Sequence, residues 1–433
     1  MKVAIVGYDV EGRSSYDYFA AQGHEIEIRD QNDRLKVPDD VKAVLGHNYL
    51  DGLDEFDLII RTAGLSPHKI IDRYPDLAGR ISTNVDTFLA NSPTKNIIGV
   101  TGTKGKGTTS TLISKMLETA GKSVTLGGNI GVAPLDFIDK LGPDSWVVLE
   151  LSSFQLIDLQ HSPHTAVCLM VVPEHLDWHP SVEEYYHAKS QLFAHQGTAD
   201  VAIYFAPNEA SRLIAAASPG HLIPYFEAPG AVISDGAIVI DGQTICRTNE
   251  LKLLGVHNWQ NVCAAVTAVW QVGVRDVSVL RSVLTAFSGL PYRLELVREL
   301  NGVRYYNDSF GTTPETAMVA IEAFDQPEII ILGGHAKGIP FTELAEFIAV
   351  RDNVKKVITI GEAGPEIASE LRQAGYQDVV SGGRNIDEIA ELAQDLAAPG
   401  DVVVFSTACA SFDMFDNYQD RGQQFTAAVQ ALA

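Results

Sequence analysis

An α/β fold in three domains is the fold class this sequence predicts, and three observations point to it. Short apolar runs alternate with polar segments of helical spacing along the chain, which is how parallel strands joined by crossover helices read. The chain has 433 residues, too many for one ordinary core when domains run roughly 100–200 residues each. Two segments have linker composition, NSPTKN at Asn91–Asn96 and SGLPYR at Ser288–Arg293, where Ser, Pro, Asn and Gly favour turns. The expected division is a Rossmann-like N-terminal domain over 1–92, a central nucleotide-binding α/β domain with a phosphate loop over 93–292, and a C-terminal Rossmann-like α/β domain over 293–433.

In the first span, Val3–Gly7, Glu25–Asp30 and Asp57–Ala63 read as strands. The turn after the first of them, GYDVEG at Gly7–Gly12, lacks the complete G-x-G-x-x-G and gives little support to dinucleotide binding. Ile97–Thr101 opens the second span. Strand-like runs continue at Trp146–Leu151, Thr165–Val172 and Val201–Phe205, with a helix-like stretch at Ser181–His195 before the last. The third span alternates Val303–Asn307, Glu328–Gly333, Lys356–Gly361 and Asp401–Ser406 with helical patterns. No internal repeat or low-complexity tract is visible, so function rests on local sites.

The balance of 32 Lys+Arg against 55 Asp+Glu, a formal charge of −23, argues against nucleic acid and anionic membranes as partners. An anionic substrate therefore needs a local cation. Cys168, Cys246, Cys263 and Cys409 form no C-x-x-C pair and sit mostly in apolar stretches, so buried reduced thiols are expected rather than disulfides or zinc. The chain enters KVAIVG directly, without a charged leader and cleavage site. No apolar run reaches the roughly 18 residues of a membrane span. The expectation is a soluble, cytoplasmic protein.

The most informative stretch is VTGTKGKGTTSTLI at Val100–Ile113. An apolar strand runs into a glycine-rich turn and then into a helical pattern. Backbone N–H groups in such a turn, with the positive end of the helix dipole, suit a phosphate, and Lys106 adds a point charge. A Gly-rich connector with an exposed lysine is the plainer alternative; the strand before, the helix after and Thr103, Thr108 and Thr109 nearby favour the phosphate loop. Magnesium needs hard oxygen ligands. Gly107 stands where a hydroxyl is usual, which leaves Thr108 as the nearest candidate. Glu150 lies in an apolar run where a charge is costly unless paired or bound to a metal. Beyond the next apolar run come Glu174, His175, Asp177 and His179, either a polar surface turn or ligands for a nucleotide-bound cation. His175 and His179 have a zinc-compatible spacing, but Pro180 and the lack of a clear third ligand count against zinc.

The ordered set TGTKGKGT, GGNIG, LELSSFQL, EHLDWH, GVHNWQN, GLPYR, YYNDS, LGGHAKG and TACASFDMFDNYQDRG resembles the Mur ligases over nearly the whole chain. The LELSSFQL block and the ACAS tail are most similar to the members that add D-glutamate in peptidoglycan synthesis. The resemblance implies that ATP phosphorylates the carboxylate of UDP-N-acetylmuramoyl-L-alanine and that the amine of D-glutamate displaces phosphate. It implies a monomer working with ATP and two Mg²⁺ ions.

By position, the resemblance assigns the β/γ-phosphates to Gly102, Thr103, Lys104, Gly105, Lys106, Gly107 and Thr108. It assigns metal ligation to Glu150 and His175, with Lys189 carbamylated by CO2 to support a second ion. Asn258, Arg293 and Asp308 would contact the nucleotide. Asn129, Ser152 and Gln155 would hold the UDP-linked peptide, and Asp30, Gly64 and Asn84 the UDP end. Lys337, Ser411 and Tyr418 would meet D-glutamate. The alternatives are an ordinary solvated lysine at 189, and turn amides or capping hydroxyls at the Asn and Ser positions.

Six positions depart from the family pattern: Lys104 for Asn, Gly107 for a hydroxyl residue, Glu174 for Asp, Tyr292 for His, Phe310 for Lys and Ala336 for a polar residue. Lys104 is expected to replace part of the cation lost at Phe310. The Gly-Lys-Gly-Thr loop resembles that of folylpolyglutamate synthases, the alternative enzyme class, though their lack of a separate N-terminal α/β domain and of the ACAS tail counts against it. A non-catalytic nucleotide-binding subunit is the other alternative.

Overall fold

The run KVAIV places four fully buried residues in succession at Val3–Val6, a pattern sustained only by a strand covered on both faces. The computed structural model describes residues 1–253, 255–336 and 338–433. In it this strand, β1 (Lys2–Val6), is central in a five-stranded parallel sheet of order β3-β2-β1-β4-β5. Its neighbours are β2 (Glu25–Asp30), β3 (Lys42–Leu45), β4 (Leu58–Arg61) and β5 (Ile81–Ser82). Helix α1 (Val10–Ala21) connects β1 to β2, α2 (His68–Ile71) lies between β4 and β5, and α3 (Asn84–Asn91) follows β5.

A second parallel sheet, of order β11-β10-β9-β6-β8-β7, follows. It comprises β6 (Ile97–Thr101), β7 (Val124–Gly128), β8 (Trp146–Glu150), β9 (Thr165–Cys168), β10 (Val201–Phe205) and β11 (His221–Tyr225). Its helices are α4 (Lys106–Thr119), α5 (Ser153–Leu156), α6 (Val182–Ala194) and α7 (Glu209–Ala215). A small antiparallel sheet of β12 (Val232–Ser234), β13 (Ala237–Ile240) and β14 (Gln243–Arg247) precedes α8 (Val256–Gln271) and α9 (Val277–Ala286). β6 starts within a few residues of the expected linker. The Thr165–Val172 run ends as a strand at Cys168, because the following residues turn to line the phosphate loop.

The chain divides into two compact units, residues 1–251 with 256–287, and 252–255 with 288–433. Both parallel sheets above belong to the first. They are joined by Arg61, fully buried at the end of β4, which grips Asp158 through Nε (2.6 Å) and Nη2 (2.5 Å) and donates to the Phe154 carbonyl (2.8 Å). The second unit holds a six-stranded sheet of order β15-β16-β20-β17-β18-β19. Its strands are β15 (Glu295–Leu300), β16 (Val303–Asn307), β17 (Glu328–Gly333), β18 (Val354–Ile360), β19 (Val379–Gly383) and β20 (Val402–Phe405). Only β15 runs antiparallel, at the edge. Its helices are α10 (Pro314–Glu322), α11 (Thr342–Ala349), α12 (Gly364–Gln373), α13 (Ile386–Leu396) and α14 (Tyr418–Ala431). All four cysteines are buried and free, as their apolar settings predict. Among the described residues no helix is long and apolar enough to cross a membrane.

Candidate active site

Three neighbouring strand ends build the central site. β6 lies between β8 and β9, with Val100 opposite Glu150 and Thr101 opposite Cys168. The turn after β6, the carboxylate ending β8 and the loop after β9 therefore emerge side by side, where open α/β sheets place ligands.

The turn after β6 is a phosphate-type loop. Gly102 and Gly105 have φ of +145° and +88°. A Cβ at Gly102 would lie 2.7 Å from the Leu169 Cβ, and one at Gly105 would lie 2.1 Å from the Asn261 Oδ1. Both positions thus need glycine, for conformation and for space. Gly105 caps α4, whose first turn is Lys106, Gly107 and Thr108, so the first amides of the helix point out of its start. The Lys106 ammonium donates to the carbonyls of Gly102 (3.1 Å) and Thr103 (3.0 Å), drawing the loop around it. Thr103 is held by the Val172 carbonyl (2.9 Å) and lies 2.8 Å from the Tyr185 hydroxyl.

Helix α6 supplies the floor. Ser181 caps it by accepting from the Glu184 amide (3.2 Å), and its buried face presents Tyr185 and Lys189 one turn apart. Lys189 is 1% exposed, and its Nζ donates to the Gly102 carbonyl at 3.0 Å. Burial, reinforced by the charge of Lys106, brings this lysine down to about 7. It is no solvated surface lysine.

Glu150 is buried; its Oε1 accepts from Asn129 Nδ2 at 2.7 Å. His175 takes a left-handed backbone with φ of +59°, a costly state for a non-glycine residue that is concentrated at functional sites. It packs against the Phe154 ring at 4.8 Å between centroids, and burial lowers its basicity. His179, by contrast, is a core residue with no exposure, between Glu184 (3.1 Å) and Ser153 (2.9 Å). The expected replacement of the Phe310 cation by Lys104 meets a different arrangement: Lys104 Nζ pairs with Glu174 Oε1 at 2.7 Å, so two of the departures from the family pattern join each other.

The donor set accommodates magnesium. Among the described residues no three His, Cys, Asp or Glu cluster as a complete cage. Magnesium uses one or two carboxylates and takes its other oxygens from phosphates and water. Glu150 beside the phosphate loop, with Thr108 half-buried in the first turn of α4, fits that pattern.

Asn258 lies in the first turn of α8, one turn before the Asn261 that packs on Gly105; their amides are joined at 3.2 Å. Asn261 has no signal of its own in the sequence beyond its place in GVHNWQN. Asp30 and Gly64 line one cleft at the ends of β1, β2 and β4. Asn84 instead spends its side chain internally, on Ser14 (3.0 Å), Ser15 (3.1 Å) and the Leu135 amide (3.3 Å). Ser152 and Gln155 form the capping box of α5, and Gln155 also donates to Glu11 at 2.5 Å.

In the second unit, Arg293 lies 3.7 Å from the centre of the Phe310 ring. Tyr418 meets Phe310 edge-on at 5.2 Å and Tyr292 at 6.5 Å. Two further family departures, Tyr292 and Phe310, thus share one aromatic group. Tyr292 and Leu294 both have positive φ, held by Glu295 accepting from the Tyr292 amide (2.9 Å) and Asp308 from the Leu294 amide (3.1 Å). Burial raises Asp308 to about 7, and Ser406 donates to it at 2.7 Å. Arg421, the arginine of the TACASFDMFDNYQDRG tail, is buried and donates to Ser309 Oγ (2.8 Å) and the Cys409 carbonyl (2.9 Å). It ties the YYNDS turn to the ACAS turn, where Ser411 is buried. Lys337 lies outside the described residues.

Two family models match the chain: the Mur ligase middle domain over residues 100–269 and the Mur ligase glutamate ligase domain over residues 292–409. The chain is 35% identical to the UDP-N-acetylmuramoylalanine-D-glutamate ligase of Symbiobacterium thermophilum, over 100% of this chain and 98% of that protein. It is 36% identical to the enzyme of the same name from Acetivibrio thermocellus, over 100% and 96%. Among solved structures it shares its fold with the MurF ligase of Thermotoga maritima in complex with ADP, at TM-score 0.59 and 19% identity over 99% of this chain and 93% of that one. MurF of Acinetobacter baumannii aligns at TM-score 0.62 and 13% identity over 99% and 93%.

Proposed function

Because the chain belongs to the Mur ligase family, we propose that it joins D-glutamate to UDP-N-acetylmuramoyl-L-alanine, with ATP converted to ADP and phosphate. It is an ATP-dependent, magnesium-using ligase of peptidoglycan synthesis. The geometric observation that supports the reading best is the convergence of the glycine loop, Glu150, the His175 turn and buried Lys189 around three adjacent strand ends. The three sheet-bearing spans, 1–92, 93–292 and 293–433, serve the UDP end, ATP and the amino acid respectively. The working form is a cytoplasmic monomer.

A carboxylate is a poor electrophile until phosphorylated, and this reaction must gather several anions despite their repulsion. The loop amides from Gly102 to Thr108 and the Lys106 ammonium hold the β/γ-phosphates, with Asn258, Arg293 and Asp308 serving the nucleotide. The substrate carboxylate attacks the γ-phosphorus, the bond to the β-bridging oxygen breaks, and ADP leaves. The amine of D-glutamate, held by Lys337, Ser411 and Tyr418, then attacks the acyl carbon. The C–O bond to phosphate breaks, the nitrogen loses a proton, and an amide remains. Glu150, His175 and Thr108 would hold magnesium, whose charge offsets that developing on the transferred phosphoryl group.

Lys189 is the candidate for carbamylation: its neutral amine would add to CO2 and release one proton, turning the neutral side chain into a carbamate anion able to support a second metal ion. Its burial and its position about 7 on the pH scale support this, since much of the amine is neutral near neutral pH. Labelling with ¹³CO2 should give a carbamate carbon resonance that is lost in Lys189→Ala.

Phosphate release from ATP is the test, with UDP-N-acetylmuramoyl-L-alanine or a folate as acceptor and D- or L-glutamate as amine. Release is expected with the muramyl acceptor and D-glutamate together. No release with any muramyl acceptor overturns the reading, and release with folate alone points to the synthase suggested by the Gly-Lys-Gly-Thr loop.

A further inference from the structure

The cleft at the carboxyl ends of β1, β2 and β4 has an unusual distribution of charge for a nucleotide site. It lies at the switch point of the first sheet, where β1 is flanked by β2 on one side and β4 on the other. In such folds the helix after β1 ordinarily offers its amino terminus to a diphosphate. Here that end carries Asp9 at the cap, lining the cleft, and Glu11 in the first turn. Glu11 is fixed there, accepting from the Ala63 amide at 3.1 Å and from Gln155 at 2.5 Å. Two carboxylates at a helix start oppose an anion.

The same cleft is lined on its far side by Lys69, from α2 beyond β4. Among the described residues lining the cleft it is the one lysine or arginine. Arg13, on α1, lies over the Tyr8 ring at 5.7 Å and is not among the lining residues. Asp30 is at the opposite side, on the end of β2, with both carboxylate oxygens occupied by the amides of Tyr8 and Asn32 at 2.8 Å each. The β2 and β4 ends are two strand spacings apart, about 10 Å, enough to separate a nucleoside from its diphosphate.

We propose that Lys69 is the residue that binds the diphosphate of the UDP-linked substrate, drawing it to the β4 side of the cleft and away from the acidic start of α1. This rests on the reading of the cleft as the UDP site. A chain with formal charge −23 needs such a local cation for a ligand carrying at least two negative charges.

The test compares UDP and uridine binding by calorimetry to the full chain, as wild type, Lys69→Gln and Lys69→Arg. Lys69 is exposed, so the variants should fold. Loss of a charge-assisted contact should weaken UDP binding about tenfold or more in Lys69→Gln, leave uridine affinity unchanged, and be largely recovered in Lys69→Arg. In turnover assays, the KM for the UDP-linked substrate should rise while that for ATP stays fixed. Equal UDP affinity in wild type and Lys69→Gln overturns the assignment of Lys69 while leaving the site intact. Failure of the wild type to bind either ligand overturns the reading of the cleft itself.

Discussion

Lys104 and Lys106 are two residues apart on one loop, and their surroundings separate their roles. Lys106 turns its ammonium onto the carbonyls of its own loop, whereas Lys104 projects outward to Glu174 with its side chain 66% exposed. An exposed ion pair contributes roughly 0–1 kcal/mol. Lys104→Asn should therefore shift the melting temperature little and change the ATP KM and kcat by less than about threefold. On the role proposed for Lys106 at the transferred phosphate, Lys106→Ala should lower kcat about a hundredfold or more. Steady-state kinetics of the two variants side by side check this; a large loss in Lys104→Asn would restore the idea that it replaces the cation absent at Phe310. Lys106 was legible because glycine, lysine and threonine have fixed places between a strand and a helix. The Lys104–Glu174 pair was not, because it joins positions 70 residues apart.

At the scale of elements, the strands read from sequence are the continuously apolar ones of the sheet interiors, such as β1, β6, β8 and β17. Those missed are edge or mixed segments: β3 with its exposed start, β7 ending in two glycines, the edge strands β5, β11, β15 and β19, and the hairpins β12–β14. Such strands take their identity from neighbours rather than from their own composition. The candidate site followed the same division. Among the proposed site residues, Glu150 and the glycine loop lie at the ends of legible strands, while Lys69 lies on a helix with no quoted motif and Asn261 is marked only as the last residue of GVHNWQN. Packing of α8 on the loop makes a prediction. Gly105→Ala forces a side chain into left-handed backbone and against Asn261, so it should destabilise the first unit by about 1–3 kcal/mol and weaken nucleotide binding. Adding Asn261→Ala relieves the clash and not the backbone cost, so the double variant should recover stability only in part. Thermal melts with and without ATP measure both effects.

For the molecule as a whole, the strongly acidic composition places carboxylates even where no cation meets them. Glu328 opens β17, a central strand of the second unit, with no exposure and neither carboxylate oxygen hydrogen-bonded among the described residues. Nothing in the sequence marks it, since a strand-opening Glu is usually a solvated end. Burial raises it from an ordinary 4.5 to about 8, only partly offset by Arg351. The folded chain therefore holds this proton over a range where the unfolded chain has lost it. Stability from the group is complete below about pH 4.5 and falls as pH rises through the window up to about 8, by at most about 1.4 kcal/mol per unit. Glu328→Gln removes the titration while keeping the shape. Its buried amide costs the same at every pH, so the difference in melting temperature, variant minus wild type, should become steadily more positive between pH 5 and pH 8 and level off above. A difference that stays flat across that range would mean that Glu328 is ionised and solvated in the folded chain.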